Sequence, residues 1–380
     1  MKVIIVGGGI AGPAAAVALA KAGIASEIYE AYPARADADT GAFLTLTANG
    51  QDALDAIGAS RQVMDSSFPA GRLRLFDSRG TKIADVPLGG QRPCTRSITR
   101  AALSHVLRGV AVARRIPTMY GKRLTSAEEG SDGTVTAVFA DGTSATGDLL
   151  VGADGIHSPV RSLIDPAAPA PRYTGLVIAC GYAAANLEAT GPDGYSMYYG
   201  SRAFFGCTHG PDDRTWWFAR LPADEATAAR VVTSSDPEHV ARWFDDDATP
   251  AAALIRTTPR PLTVTPAHDI ARLPTWSNRR MAVIGDAAHP VSPMTTQGAS
   301  LAVEDAAVLA RCLRDVPSVP EALRAFERIR RERVEQIAVA GASGENPAPP
   351  TIGARTGPRP SPVLDHHIDW DSPVAGAHDC

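Results

Sequence analysis

A glycine-rich turn between an apolar run and an Ala-rich segment restricts the fold of this chain more than any other sequence feature. Residues 3–6 are all β-branched, which suits a parallel strand that is buried on both faces. Gly7, Gly9 and Gly12 follow in a G-x-G-x-x-G pattern, and a helix is predicted to run from there to about Lys21. In such a unit the first glycine permits a tight turn, the second lets the backbone approach a pyrophosphate, and the third lets the helix pack on the strand. The pattern predicts an α/β, Rossmann-like domain that binds a dinucleotide, although a Gly-rich turn without a ligand remains open.

The start of this helix and the end of the next strand predict where the dinucleotide lies. Free N–H groups and the positive dipole end near Ile10 and Ala11 favour a diphosphate. Residues 24–29 are predicted to form the second strand, which ends at Glu30. An acidic side chain at that distance from the glycines accepts hydrogen bonds from an adenosine ribose. It also disfavours the 2′-phosphate of NADP at this particular site.

Composition excludes several classes of protein. The 380 residues are 44% hydrophobic and 21% charged, which is ordinary for a globular protein long enough for two domains. A net charge of -4 gives no electrostatic signature of nucleic-acid binding. The five cysteines are scattered without C-x-x-C or metal-type spacing, so we expect reduced thiols in a cytoplasmic protein.

The apolar N-terminus has the appearance of a secretory signal or a membrane anchor. Lys2 precedes the apolar residues 3–20, but four glycines and then Pro13 interrupt that run. A strand, a turn and a helix account for all of these residues. No other stretch reaches the ~18 apolar residues that a membrane span needs, so we expect no membrane span.

Two later segments point to the same ligand as the first. The sequence DLLVGADGIHSPVR contains Asp154, and RMAVIGDAAHPVSPMTTQGASLAVEDAA contains Gly285 and Asp286. Residues 281–284 are predicted to form a short buried strand, and Gly285-Asp286 ends it where a ribityl chain or a pyrophosphate of FAD would pass. Asp286 could instead cap the following helix, and Asp154 could simply form a turn with its glycine. The three segments together nevertheless favour FAD and oxygen chemistry.

These motifs resemble those of the class A flavoprotein monooxygenases, the p-hydroxybenzoate hydroxylase-like family. The family's G-D motif corresponds to residues 285–290 and its D-G motif to Asp154-Gly155, and the resemblance extends over roughly residues 1–335. It implies an FAD-binding domain with a parallel sheet, a mainly antiparallel β-sheet substrate domain and a C-terminal helix. In relatives the position of Arg100 contacts the flavin, and the segment around Phe43 runs past the isoalloxazine edge. The expected FAD contacts are Gly7, Gly9, Ile10, Ala11, Gly12, Glu30, Arg35, Ala42, Phe43, Arg100, Asp154, Gly285, Asp286, Pro293, Gln297, Gly298 and Ala299.

Two positions depart from the family pattern. Relatives commonly have a glycine just before Gln-Gly, and here that position is Thr296, followed by Gln297 and Gly298. This loop presents backbone N–H groups to the flavin pyrimidine edge in relatives, so a bulkier residue could reshape it. Ser300 replaces an asparagine found in many relatives. Neither change removes the expectation of FAD.

The middle of the chain has the composition of an antiparallel sheet. Residues 197–222 are rich in Tyr, Phe and Trp, and the sequence Gly-Pro-Asp-Asp at 210–213 predicts a hairpin turn. Side chains alternate across a strand, so we expect Tyr198, Phe205 and Trp217, together with Pro293, to line the substrate pocket. Ordinary core packing is the alternative for each aromatic residue. The absence of W-x-W-x-I-P excludes the motif of the related flavin halogenases.

Several charged residues have a plain structural interpretation in the sequence. We expect no metal site at the histidines 366 and 367, which lack further ligands, although HHIDW could pack back as a short terminal element. His289 is not assigned as a base, and no catalytic residue is assigned. The arginines expected on solvated surface are Arg161, Arg279 and Arg280 and, on a helix over about residues 320–340, Arg328, Arg330, Arg331 and Arg333.

Changes in composition suggest domain boundaries. Residues 1–170 are predicted to form the first part of the FAD-binding domain, with a substrate-domain insertion near 70–95. Residues 171–270 are expected to form the substrate-binding sheet. Residues 271–340 would complete the FAD-binding domain with a long helix. Residues 341–380 are expected to be irregular, since residues 341–362 are rich in Gly, Pro and Ser.

The family resemblance implies a monooxygenase reaction on a small aromatic or polyketide-like molecule. NADH or NADPH would reduce FAD, O₂ would add at C4a, and the hydroperoxide would transfer one oxygen atom to the substrate. Only one dinucleotide pattern is present, so the nicotinamide cofactor is expected to bind transiently to a monomer or homodimer. Two alternatives remain: a reductase or oxidase similar to the geranylgeranyl-reductase-like proteins, and a non-catalytic FAD-binding partner or redox sensor.

Overall fold

The computed structural model describes residues 1–34, 42–88, 95–184, 193–292, 295–342 and 361–374. The strands are β1 (Lys2–Val6), β2 (Ala25–Glu30), β3 (Phe43–Leu46), β4 (Phe68–Pro69), β5 (Arg72–Phe76), β6 (Lys82–Pro87), β7 (Arg96–Thr99), β8 (Thr118–Tyr120), β9 (Leu124–Glu129), β10 (Val135–Phe139), β11 (Ser144–Gly147), β12 (Leu149–Gly152), β13 (Arg172–Ala183), β14 (Gly194–Tyr199), β15 (Phe204–His209), β16 (Thr215–Pro222), β17 (Thr263–Asp269) and β18 (Met281–Val283). The α-helices are α1 (Ala11–Lys21), α2 (Ala48–Ala56), α3 (Ser60–Asp65), α4 (Arg100–Ala113), α5 (Pro159–Ile164), α6 (Glu225–Ser234), α7 (Pro237–Ala241), α8 (Ala251–Arg256), α9 (Gly298–Asp315) and α10 (Val319–Ala342). Within these ranges, no helix is both long and apolar enough to cross a bilayer.

A five-stranded parallel sheet forms the first layer, in the order β18-β12-β1-β2-β8. Its central strand pairs Val6 with Gly152, and Gly152 pairs in turn with Val283 of β18. The carboxyl ends of three strands therefore lie side by side, although they are far apart in sequence. In open α/β sheets ligands bind outside these carboxyl ends. The Rossmann-like fold and the predicted parallel sheet are confirmed.

A seven-stranded sheet forms the second layer, in the order β17-β13-β16-β15-β14-β5-β6. All of its neighbours pair antiparallel except β14 and β5, which pair parallel. The predicted hairpin at residues 210–213 joins β15 to β16. Strands β5 and β6 reach this sheet from residues 72–87, inside the region predicted as an insertion. The mainly antiparallel sheet is confirmed, and the division of the chain into domains remains a proposal.

The two layers have separate apolar cores. The larger one surrounds the parallel sheet and includes α1, α9 and α10, while the smaller one lies between the seven-stranded sheet and helices α6–α8. The segment 361–374 packs back on the larger core, where Ile368, Trp370 and Val374 are buried. His367 Nδ1 lies 2.6 Å from an Asp52 carboxylate oxygen, and the Lys21 ammonium lies over the Trp370 ring. The short terminal element expected from HHIDW is thus present.

Candidate functional site: a recess at the ends of three parallel strands

The glycine-rich turn follows β1 and shows why two of its glycines are needed. Gly7 has a φ of +110°, and its N–H donates to Tyr29 O at 2.9 Å. A Cβ atom on Gly12 would lie 1.9 Å from Gly7 O, so only glycine lets α1 pack this closely on the turn. A Cβ on Gly9 would meet no atom within 4 Å. The backbone at Gly9 therefore borders open space, as a pyrophosphate site requires.

Glu30 ends β2 and holds the glycine turn. One carboxylate oxygen accepts from Gly8 N at 2.6 Å, and the other accepts from Tyr32 N at 2.8 Å. Each carboxylate oxygen can accept more than one hydrogen bond, so capacity for a ribose hydroxyl remains. The ribose contact stays a prediction.

Four segments meet beyond the ends of β1 and β18. A Cβ on Gly285 would lie 3.1 Å from Ala11 Cβ, and a Cβ on Gly298 would lie 3.9 Å from Asp286 Oδ1. Ser104 on α4 donates to Gly9 O at 3.0 Å, which fixes that helix beside the glycine turn. The residues predicted from the first and third segments thus surround one recess.

Arg100 begins α4 at the same recess. Its backbone N–H donates to Ala42 O at 3.0 Å, and its exposed side chain is close enough to lower the pKa of Asp286. The Asp286 carboxylate is accessible to solvent although protein atoms enclose most of it. Desolvation therefore raises its pKa, an effect that His289 and Arg100 only partly offset. The Arg100 guanidinium and the Asp286 carboxylate are both accessible, so either can contact polar groups of a ligand.

Asp154 follows β12 and lies beside the glycine turn. A Cβ on Gly7 would be 3.0 Å from Asp154 N, and Oδ2 of Asp154 accepts from Val160 N at 3.1 Å. Oδ1 is buried and has no hydrogen-bond partner among the described residues. Desolvation raises the pKa of this carboxyl, although hydrogen bonds from Ser158 and Val160 oppose the shift. An unpartnered buried oxygen beside the recess fits a ligand hydroxyl better than a simple turn.

Arg161 is not on the surface, which corrects the sequence prediction. The residue is buried, and its guanidinium donates to Ile156 O at 2.7 Å and to Ala287 O at 3.1 Å. It thereby ties the loop after β12 to the loop after β18. Arg279 is exposed, as expected, and Arg280 is half-buried.

A buried network of charges supports the recess from behind. Asp305 on α9 accepts from Gly285 N at 2.8 Å, and its carboxylate lies 2.6 Å from His289 Nε2 and 2.7 Å from Arg330 Nε. Glu304, the preceding residue, also binds Arg330. Burial alone would raise the pKa of both carboxyls, but the neighbouring cations outweigh it and lower both values to about 2.

The same network reaches the predicted flavin loop. Asn49 donates to Glu304 Oε1 at 2.7 Å and to Gln297 Oε1 at 2.9 Å. Gln297 directly precedes the first residue of α9, so the buried charges position the loop that the sequence assigns to the flavin. Arg333 also donates to Glu304, at 2.7 Å.

This network was missed from the sequence, where the arginines of α10 were expected on a solvated face. That expectation is wrong for Arg330, which is fully buried, and for Arg333, whose guanidinium pairs with Glu304. Arg328 is exposed, as expected. A usable signal was present: Glu304 and Asp305 interrupt an otherwise apolar stretch of a helix, and buried acids need cationic partners.

The aromatic residues predicted to line the substrate pocket lie on the helix-covered face of the seven-stranded sheet. Phe205 and Trp217 are fully buried and Tyr198 nearly so, in the core that helices α6–α8 cover. The Phe205 ring lies 5.8 Å from that of Phe244, and Trp217 Nε1 donates to Thr258 Oγ1 at 2.8 Å. Alternation was correctly expected, but these side chains point away from the parallel sheet. Core packing, the alternative from the sequence, describes them.

The opposite face of this sheet meets the FAD-binding part of the chain. Phe43 of β3 lies 5.7 Å from the Trp216 ring and 5.9 Å from the Phe218 ring, between centroids. Phe204 and Phe218 are 5.9 Å apart on this face. We call the side chains Tyr195, Met197, Tyr199, Phe204, Trp216, Phe218 and Arg220 the pocket face. Phe43, Phe204 and Phe218 are only half-buried, so the face is incompletely covered.

Two of the expected cofactor contacts, Arg35 and Pro293, lie outside the described residues. Thr296, which replaces the family's glycine, has a φ of +52° in the left-handed region. Backbone of this kind favours glycine, so the threonine is strained there. Among the described residues no group of acidic, histidine or cysteine side chains has the arrangement of a metal site.

Three features of the described residues are compatible with FAD. Gly9 borders open space beside a helix start, Asp154 has an unpartnered buried oxygen, and Asp286 lines the same recess. Gly9 and Ala11 would border the diphosphate, with Gly7 shaping the turn beside it, Glu30 would bind the adenosine ribose, and Asp286 the ribityl chain. The fold and the recess define a dinucleotide-binding flavoprotein of Rossmann type.

Comparison with known proteins agrees with this class. A family model described as "FAD binding domain" matches residues 1–340. The chain belongs to this family and, within it, to the class A flavin monooxygenases. It is 32% identical over 348 residues to an aurachin C monooxygenase/isomerase of Stigmatella aurantiaca, with 90% of this chain and 88% of the relative covered.

Two further relatives are hydroxylases as well. The FAD-dependent urate hydroxylase of Klebsiella pneumoniae is 32% identical over 346 residues, covering 89% of this chain and 88% of that protein. The 3-amino-4-hydroxybenzoate 2-monooxygenase PtnB3 of Streptomyces platensis is 32% identical over 372 residues, covering 88% and 85%. A solved structure of Klebsiella pneumoniae HpxO with FAD and uric acid aligns with a TM-score of 0.78 at 30% identity, over 90% of this chain and 87% of that one. FAD is therefore the cofactor, and the reductase alternative is not favoured.

Proposed function

We propose that this protein is an NAD(P)H-consuming monooxygenase that inserts one oxygen atom of O₂ into a planar aromatic or polyketide-like molecule. The observation that carries the proposal is the meeting of the glycine turn, Asp154 and Gly285-Asp286 at the carboxyl ends of the parallel strands. Phe43 directly follows Ala42, whose carbonyl accepts from Arg100 N, and packs against the aromatic sheet. The relatives named above support the reaction type, and two of them act on urate and on 3-amino-4-hydroxybenzoate by name.

Bound FAD would supply the redox chemistry, taking electrons from NADH or NADPH and activating O₂ at its C4a position. The chain's own groups position and enclose the reactants. Arg161 holds the loops after β12 and β18 at a fixed separation, because it donates to a carbonyl in each. Phe43 and the pocket face provide apolar walls that exclude water, which protects a reactive oxygen donor from loss as peroxide.

The proposal also covers how the nicotinamide cofactor binds, where the protein is located and its oligomeric state. The sequence has one dinucleotide pattern, which FAD occupies, so NADH or NADPH would bind transiently. Free, buried thiols at Cys180, Cys207 and Cys312 support a cytoplasmic location. The protein would act as a monomer or homodimer.

Substitution at Gly9 tests the cofactor site, because the surrounding space is open in the protein itself. A valine there meets no protein atom at its Cβ, yet it would occupy the space of the diphosphate. We expect Gly9→Val to weaken FAD binding roughly tenfold or more, with the thermal stability of the apoprotein unchanged. Gly109→Ala, at a helical glycine with equally open surroundings, is the matched control and should bind FAD normally.

The reaction type is tested by oxygen labelling. The FAD-loaded protein is supplied with NADH or NADPH, ¹⁸O₂ and a panel of planar aromatic phenols and heteroaromatics, and products are analysed by mass. We expect accelerated NAD(P)H oxidation and one labelled atom in the product for at least one compound. Reduction of FAD without label in any organic product, across a broad panel, would contradict the monooxygenase proposal.

A further inference from the structure

Arg220 is the one cation of the pocket face as defined above. It lies on β16 next but one to Phe218 and is paired across the sheet with Ile178 and Phe204. Its neighbours along the strand, Ala219 and Leu221, are fully buried in the helix-covered core, so its side chain points to the opposite side. That side is the one on which Phe218 contacts Phe43.

The Arg220 guanidinium is stacked on an aromatic ring. The guanidinium carbon Cζ lies 3.7 Å from the Phe204 ring centroid, so the aromatic ring covers one face of the cation in a cation–π contact. The N–H groups project from the edge of the guanidinium plane and need acceptors of their own. Nε is buried and has no hydrogen-bond partner among the described residues.

Acidic side chains do not balance this charge within the described part of the chain. The titratable group that faces it is Tyr199, and no carboxylate lies within ion-pair distance there. Desolvation lowers the pKa of Arg220 to about 10, which still leaves it cationic at neutral pH. A half-buried cation with a buried, unpartnered Nε–H donor is costly unless a ligand supplies the acceptor.

The aromatic side chains beside this cation lie flat on the sheet and are only partly covered. Gly206 lies beneath Phe218 and Met197, and a Cβ there would be 2.5 Å from the Phe218 ring and 2.7 Å from Met197 Sδ. Glycine at this position lets both side chains lie down on the sheet. Because Phe43, Phe204 and Phe218 remain half-buried, aromatic surface is available next to the guanidinium edge.

We propose that Arg220 determines substrate specificity by binding an ionised oxygen, a carboxylate or an acidic enolate, on the planar substrate. The aromatic ring of the substrate would then pack against Phe218 and Phe43, between the cation and the flavin. The inference rests on the proposed function for the nature of the ring, and it adds the requirement for a negative charge at one end. Neutral aromatic compounds of the same shape are poor ligands.

Binding measurements on the FAD-loaded protein test this without turnover. Flavin fluorescence is titrated with matched pairs, 2-naphthoate against 2-naphthamide and salicylate against salicylamide. We expect each acid to bind the wild type about ten- to hundredfold more tightly than its amide, the effect of one charge-assisted hydrogen-bonded contact. Arg220→Met should abolish this preference, and Arg220→Lys should keep part of it.

Arg202→Met is the matched control, because Arg202 also stacks on a ring, that of Trp243, but is exposed outside the pocket face. It should retain the preference for acids. FAD content and thermal stability of each variant establish that it is folded. A loss of preference in folded Arg220→Met but not in Arg202→Met supports the proposal.

Two results would overturn it: equal binding of acids and amides by the wild type, or an unchanged preference in Arg220→Met. Either could occur while labelled oxygen still enters a neutral product, in which case the monooxygenase proposal survives. Conversely, acid-selective binding that depends on Arg220 in a protein without oxygen transfer would leave the anion site standing and refute the proposed reaction.

Discussion

The parallel-sheet half of the molecule fully buries charged side chains, whereas the aromatic seven-stranded sheet fully buries apolar ones. Behind the recess, Asp305, Glu304 and Arg330 are fully buried, and Arg333 supplies a second cation to this cluster. In the seven-stranded sheet, Phe205 and Trp217 occupy a core made mainly of apolar side chains. In the parallel-sheet half, directional hydrogen bonds hold the loops in place. In the seven-stranded sheet, packing of helices α6–α8 on one face holds the opposite, pocket face in place. The difference predicts which substitutions unfold the protein and which alter its ligands.

Removal of the central cation should have the largest effect. Arg330→Met leaves the Asp305 and Glu304 carboxylates buried without their shared partner, and we expect a loss of about 3–5 kcal/mol in the free energy of unfolding. Urea unfolding monitored by circular dichroism measures it. Arg328→Met, at an exposed position on the same helix, should change the value by less than about 0.5 kcal/mol. Similar effects for the two variants would refute the buried network.

Adjacent phenylalanines on β15 separate the two faces of the aromatic sheet. Phe205→Ala removes a fully buried ring and should cost about 3 kcal/mol of unfolding free energy. Phe204→Ala removes a half-buried ring and should cost about 1–2 kcal/mol. The order should reverse for ligands, since only Phe204 supports Arg220 and borders the pocket face. If Phe205→Ala weakened 2-naphthoate binding more than Phe204→Ala in folded protein, the assignment of faces would be wrong.

Acid should weaken the charged network but not the apolar core. The pKa of Asp305 is lowered to about 2 in the folded protein, below the value near 3.9 of an unfolded chain. The ionised carboxylate therefore stabilises the protein above about pH 4, and this contribution, on the order of 2 kcal/mol, is lost as the pH falls toward 2. Unfolding free energies of the wild type and Asp305→Asn, measured between pH 5 and pH 2.5, should converge at the acid end. A constant difference across that range would show that Asp305 does not titrate as described.

The smallest effect is expected at the flavin loop. Thr296→Gly relieves a left-handed backbone that costs a threonine about 1–2 kcal/mol, against roughly 0.5–1 kcal/mol of added chain entropy. The net gain in unfolding free energy should be about 0.5–1 kcal/mol. Thr295→Gly, at a neighbouring residue without positive φ, should destabilise instead. A gain in both variants would exclude strain at Thr296 as the cause.

The sequence predicted the parallel-sheet half well because the backbone geometry of a strand, turn and helix restricts which residues can occupy the turn. Gly12 is needed wherever a helix packs against such a turn, so the strand, turn and helix follow from the spacing alone. The ion network was not predicted, because pairing Asp305 with Arg330 requires knowing which turns of α9 and α10 face each other. The seven-stranded sheet shows the corresponding limit: alternation separates Phe204 from Phe205, but only the packing of helices α6–α8 decides which of the two is covered.

The alternation along β16 has a consequence for how such an enzyme changes over time. Side chains packed in the core alternate along the strand with side chains on the pocket face, as Ala219 and Arg220 do. Single replacements at every second position can therefore diversify what the protein accepts while its thermodynamic integrity is preserved by the intervening positions. One short strand therefore combines positions where substitution changes ligand binding with positions that maintain the fold.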